Sequence, residues 1–251
     1  MFIVIMKFFI LFLISFFLTG CSGNYNFAWF AINPFHSQGS SNIEFLIGGL
    51  FTTISVSLVS LILAAILGLI VTLPNLSSRK SLRYLNIAYV EIFRAIPVLV
   101  LLLWIYYGLP SIFGGSLSFN PFVAGVITLV LHESAFISEI YRSGIQAIKK
   151  GQIEAAKSLG LNQSLVFIKI VLPQAIRIIT PALLNQGIYI LKMSSLISVI
   201  GLGDLTRRAN ELIVTTYRPL EIYSFLVLEY LILVLLASYF VRRIEKKFEI
   251  K

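Results

Sequence analysis

"LFTTISVSLVSLILAAILGLIVTL", residues 50–73, carries no charged side chain over 24 consecutive positions. At ~1.5 Å per residue, a helix of that length crosses the ~30 Å hydrocarbon core of a bilayer. Small residues punctuate it: Gly49, Thr53 and Ser57 recur at intervals of four, as do Ser60, Ala64 and Gly68. Such a face lets helix backbones approach closely, which supplies van der Waals contact where lipid gives no hydrophobic drive. The stripe predicts a compact helical bundle and carries no information about activity.

The remainder of the chain repeats this character. Of 251 residues, 58% are apolar and 12% charged, with a mean hydropathy of +0.92. A soluble domain of this length needs more polar surface. Apolar runs at roughly 43–73, 84–109, 120–141, 174–200 and 221–241 predict five core transmembrane helices. Helices are required because lipid offers the backbone no hydrogen-bond partners. The expected fold is therefore an all-α integral membrane protein.

Basic residues orient it. Residues 21–42 and the loop near 108–120 hold no Lys or Arg. Arg79, Lys80 and Arg83 lie in the first connection, and Arg142, Lys149, Lys150, Lys157, Lys169 and Arg177 in the long loop. The tail adds Arg242, Arg243, Lys246, Lys247 and Lys251. The positive-inside rule then predicts an N-out, C-in topology. Arg207, Arg208 and Arg218 are exceptions on the outer side. The net charge of +9 is explained by cytoplasmic loops and does not indicate nucleic acid. The single cysteine excludes an intrachain disulfide and a multi-cysteine metal site.

Residues 1–21 stand apart. Lys7, an apolar run and Leu18-Thr19-Gly20-Cys21 look like a bacterial lipoprotein signal, which makes Cys21 a candidate for lipidation. The alternative is a retained extra hydrophobic helix. Residues 22–42 are then an extracytoplasmic segment, and 43–245 the transmembrane domain.

The loop at about 142–172 is too long for a plain connector between helices. Residues 152–159 are good helix formers, Gly160 suits the left-handed position past a helix end, and Asn162 can cap a second helix. Pro173 is tolerated where the fourth span begins. Ala155 and Ala156 give the first helix low relief, and Leu159 offers an apolar knob one turn on. Glu154 suits the positive end of the helix dipole. Two roles fit: a docking element for a partner's groove, or an amphipathic helix on the bilayer with Lys149, Lys150 and Lys157 on lipid head groups.

Glu154-Ala155-Ala156, Gly160 and Leu172-Pro173-Gln174-Ala175 resemble the EAA loop of permease subunits in bacterial ATP-binding-cassette (ABC) importers, more narrowly the polar-amino-acid type. "EIFRAIPVLV" (91–100), with Glu91, Arg94 and Pro97, resembles the same family. So do "SEIYRSGIQAIKKGQIEAAKSLG" (138–160), with Glu139, Arg142 and Gln152, and "LKMSSLISVI" (191–200). The family's usual polar or acidic residue and Thr are replaced by Met193 and Ser194, and a usual Gly-Ala-Tyr run by "HESAF".

The resemblance implies a transport subunit of the bacterial inner membrane with no ATPase of its own. The cytoplasmic coupling loop between spans three and four would place Gln152, Glu154, Ala155, Ala156, Leu159 and Gly160 against an ABC ATPase subunit, itself a dimer, which holds the ATP-Mg. The other implied partners are a second permease copy or a sister permease, and an extracytoplasmic solute-binding protein that delivers an amino acid. No Gly-x-x-x-x-Gly-Lys-Ser/Thr phosphate loop occurs in the chain, so nucleotide must be bound elsewhere.

Ionisable groups inside spans are expensive and tend to face a cavity or a partner. His132, Glu133, Lys192 and Glu229 are therefore candidates for the translocation path, or else for structural pairing between spans. Glu91, Arg94, Glu139 and Arg142 form a polar set near the cytoplasmic boundary, suited to pairing with one another or with the loop. Two other functions compete with this one. A membrane scaffold recruiting a cytoplasmic protein fits the loop alone. An intramembrane metalloprotease needs His-Glu-x-x-His, but position 136 is Phe and the other histidine is the distant His36.

Overall fold

The computed structural model describes residues 25–76, 80–115 and 117–248, and among these all regular structure is helical. After a short turn at Trp29–Ile32 come α1 (Ser37–Ile47) and α2 (Leu50–Thr72). Next are α3 (Lys80–Ala95), α4 (Val98–Leu103) and α5 (Leu109–Ile112), the last two joined by a π turn. Then follow α6 (Pro121–Gln146), α7 (Lys150–Ser158), α8 (Gln163–Val166) and α9 (Leu172–Met193), with a π turn at Phe167–Val171 leading into α9. A 3₁₀ stretch Ser194–Ile200 leads to α10 (Leu205–Thr216) and α11 (Pro219–Phe248).

Four stretches are long and apolar enough to cross a membrane: Ser37–Thr72, Pro121–Gln146, Gln163–Ile200 and Pro219–Lys246. The run expected at 84–109 is not straight. Lys80–Ala95 and Val98–Ile112 meet at 97°, and count as a fifth span only if the bent pair is taken as one. Pro97 is the cause: it has no N–H to donate back, and its ring drives Ile96 out of the helical region.

The small-residue stripe of α2 is realised as one continuous buried face: Thr53, Ser57, Ser60, Ala64, Gly68 and Thr72. It packs on α6. A Cβ at Gly68 would lie 2.8 Å from Ile137 Cγ2 and 3.1 Å from the Ser134 carbonyl, so only glycine permits this approach. Polar atoms bridge the seam: Thr72 Oγ1 donates to Ser138 Oγ (3.0 Å) and Asn86 Nδ2 to the Val71 carbonyl (2.5 Å). The Tyr89 hydroxyl donates to the Leu131 carbonyl (3.1 Å), which ties α3 to α6. Val56, Leu102, Ile105, Leu129, Ile190 and Ile197 form the apolar core among α2, α4, α6 and α9.

The end remote from α7 is closed by residues 25–36 and α10. The fully buried Glu221 carboxylate accepts from the Ala28 N–H (2.6 Å) and from the Tyr25 hydroxyl. Arg218 donates to the Asn26 carbonyl (2.6 Å) and Asn42 to the Ala31 carbonyl (2.8 Å). Asp204 caps α10 by accepting from the Arg207 N–H (2.8 Å), while its other oxygen is buried without a partner. Burial pushes this carboxyl up to about 6, against the lowering effect of the Arg207 N–H.

Candidate functional site

Three groups of candidate residues occupy three levels of the molecule. At one end, α7 starts four positions after α6 finishes at Gln146. It ends in a Schellman motif: the Gly160 N–H donates to the Lys157 carbonyl (2.9 Å) and the Leu161 N–H to the Ala156 carbonyl (3.2 Å). Gly160 has φ +81°, so a side chain there is strained. Asn162 caps α8 by accepting from the Leu165 N–H (2.9 Å). The helix–glycine–helix order follows the sequence pattern.

The six residues of this element divide. Ala156 is 3% exposed and packs with Ile148, Val166 and Val171, so it seats α7 on its own chain. Gln152 accepts from Gln174 Nε2 (2.8 Å), which fastens α7 to the first turn of α9. Glu154, Ala155 and Gly160 are exposed, and Leu159 is 83% exposed. Ala155 and Ala156 thus do not share a face. One points out and its neighbour holds the element in place.

Midway along α6, His132 and Glu133 are both buried. His132 Nδ1 lies 2.8 Å from Glu133 Oε1, and Glu133 Oε2 accepts from the Gln186 amide of α9. Gln186 was missed from sequence; Asn185-Gln186 within an apolar span was the available signal. Glu229 sits on α11 with both carboxylate oxygens buried and unpartnered. Lys192 is exposed at the far end of α9. No hydrogen bond or ion pair among the described residues joins Lys192 or Glu229 to the Glu133 group. Cys21 lies outside the described residues.

Glu91, Arg94, Glu139 and Arg142 do come together. They line a cavity of about 390 Å³ between α3 and the end of α6, with Arg83, Asn86 and Gln146, which sequence reasoning passed over. Arg142 forms a two-armed pair with Glu139 (3.0 and 2.5 Å) and also donates to Gln146 (3.1 Å). Arg94 lies over the Phe136 ring, 5.1 Å from its centroid.

Residues 64–250 match the family of binding-protein-dependent transport system inner membrane components. The chain belongs to this family. It is 37% identical over 205 residues to the arginine transport system permease protein ArtQ of Bacillus subtilis (strain 168), covering 82% of this chain and 93% of the relative. It is 34% identical over 224 residues to the glutamine transport system permease protein GlnP of Escherichia coli (strain K12), covering 89% of this chain and 99% of that one. A solved amino acid ABC transporter with histidines superimposes with a TM-score of 0.81 at 34% identity, covering 89% of this chain and 100% of the other.

This permease is therefore a membrane-embedded transport subunit, and it is not an enzyme. In α7, Leu159 is exposed above a base formed by Ala156, Gln152 and Gln174.

Proposed function

We propose that this permease moves a polar amino acid across the bacterial inner membrane. An extracytoplasmic binding protein delivers the solute, and a separate dimeric ATPase subunit binds ATP-Mg. The observation that carries this is α7: Leu159, 83% exposed, projects from a helix whose Ala156 is locked into the chain's own core. An apolar knob on a fixed base transmits force in both directions. Residues 150–160 would seat in a groove of the ATPase, with Glu154, Ala155, Leu159 and Gly160 in contact and Gln152 and Ala156 supporting.

The topology that goes with this is N-out and C-in. It has five spans over residues 43–245, the bent α3–α5 unit being the second, and the coupling loop at 142–172 lies in the cytoplasm. A second copy or a sister permease completes the pathway. Residues 22–42 lie outside, behind a leader or extra helix in 1–21 whose Cys21 is the lipidation candidate. Closure of the ATPases on ATP brings the two α7 elements together. The spans rock, and the cavity opens outward to the binding protein. Hydrolysis restores the inward-facing state. His132, Glu133, Lys192 and Glu229 are the path candidates, and Glu133 is the best placed, buried mid-span beside Gln186. The relatives' names, arginine and glutamine transport, support the solute class.

The test is reconstitution of the native complex in proteoliposomes. ATP-dependent uptake of labelled L-glutamine or L-arginine should require the binding protein, and Glu133→Ala should change the apparent affinity for solute more than the yield of assembled complex. Labelling of a cysteine placed at Lys157 from the extracytoplasmic side, or failure of any ATP-hydrolysing subunit to co-purify, would overturn the reading.

A further inference from the structure

The cavity between α3 and α6 holds more charge than its own walls use. Arg142 and Glu139 satisfy each other through two hydrogen bonds. Arg83 and Glu91 form no ion pair or hydrogen bond among the described residues, and Arg94 lies over the face of Phe136 and near enough to Glu139 to attract its carboxylate, without an ion pair or hydrogen bond of its own. The Arg83 guanidinium and the Glu91 carboxylate, with the partly engaged Arg94, thus face one space of about 390 Å³. Small-molecule sites run from about 300 to 1,000 Å³. Glu91 and Arg94 stand three positions apart on one face of α3.

We propose that this cavity is a second binding site, for a free zwitterionic α-amino acid that enters from the α7 side. The α-carboxylate would lie in the fork of Arg94 or Arg83, the geometry guanidinium groups favour. The α-ammonium would meet Glu91. The two-sign lining favours a zwitterion over an anionic phosphodiester head group, because Glu91 can pair with an α-ammonium and repels a group that carries only negative charge. The site sits beside the end of α6 that leads into α7, so an occupant braces α3 against α6 close to the coupling element. Import then slows as solute accumulates inside. The solute class rests on the function proposed above.

The experiment uses the permease–ATPase complex in nanodiscs without binding protein, probed with radiolabelled L-glutamine and L-arginine. Glu91→Gln and Arg94→Gln, at exposed positions that spare the core, should each weaken one binding component about 10–100-fold. Glu133→Gln should leave that component in place. Wild-type affinity in both cavity variants overturns the proposal. So does displacement of the amino acid by phosphatidylglycerol in the disc, which would identify a head-group site. If the wild-type complex binds neither amino acid yet imports one from its binding protein, the second site fails and the function stands. If it does neither, both fail.

Discussion

The two ends of this permease use the same residue types in opposite ways. At the end remote from α7, each arginine is committed to a local partner. Arg207 pairs with Glu211 (2.6 Å), Arg208 donates to the Phe45 carbonyl (2.8 Å) and lies over its ring, and Arg218 donates to Asn26. Glu221 and Asp204 are fully buried there. At the α7 end Arg83 and Glu91 form no ion pair or hydrogen bond among the described residues, and Leu159 is the most prominent apolar side chain of the loop. Lys and Arg are more numerous at the α7 end, but the count does not say which of them are engaged. The partner atoms do: one end is locked onto itself, and the other keeps its groups available for something else. The three arginines that run against the positive-inside pattern have their donors engaged within the fold.

The largest effect should come from the available end. Gly160→Glu imposes ~1–2 kcal/mol of left-handed strain and sets a carboxylate beside Leu159. Binding-protein-dependent uptake should fall roughly tenfold or more while membrane insertion is retained. Normal uptake by a well-expressed variant would break the comparison at its open end. Next is the locked end. Glu221→Ala strands the Ala28 N–H and frees Tyr25, with an expected loss of ~2–3 kcal/mol, read as a lower unfolding temperature in detergent. An unchanged melting curve would show that the contacts of Glu221 with residues 25–28 do not hold this end.

A third comparison lies within α7. Ala156→Leu overfills the cluster with Val166 and Val171 and should cost ~1–3 kcal/mol. Ala155→Leu, pointing outward, should leave stability within ~0.5 kcal/mol but weaken ATPase association. Equal effects on stability would erase the division between base and contact. The smallest effect is in pH. Asp204 has a folded-state value near 6, above the ordinary carboxyl of 3.8. The folded chain therefore holds its proton over that interval when the unfolded chain has released it. Stability from this group is highest below about pH 4 and falls as pH rises through 6, by ~1–3 kcal/mol. Asp204→Asn should flatten that slope in pH-dependent melting, and a persisting slope would assign it elsewhere.

Much of the fold was legible because hydropathy and spacing are local properties. The stripe on α2 predicted its packing face, and Gly160 and Asn162 predicted a helix stop and a helix start that the structure contains. The bend at Pro97 was less visible. Pro97 was noted in "EIFRAIPVLV", but the apolar run continued past it, and hydropathy averages over a break that backbone chemistry creates. For the candidate site, Glu91, Arg94, Glu139 and Arg142 were grouped by depth and share one cavity. The grouping of Lys192 and Glu229 with Glu133 has no contact to support it, since depth along a helix leaves the direction it faces open.

The sequence by itself determined the membrane class, the helical content, the family and the helix–glycine–helix loop. Each follows from side-chain transfer energies or from backbone preferences that act within a few residues. Only the tertiary structure decided that Ala156 is a buried footing while Ala155 is exposed, that Gln174 holds Gln152, and that Arg207, Arg208 and Arg218 are engaged while Arg83 and Glu91 form no ion pair or hydrogen bond among the described residues. Those outcomes depend on which atoms of distant helices lie within hydrogen-bonding or packing distance, and no local pattern encodes that distance.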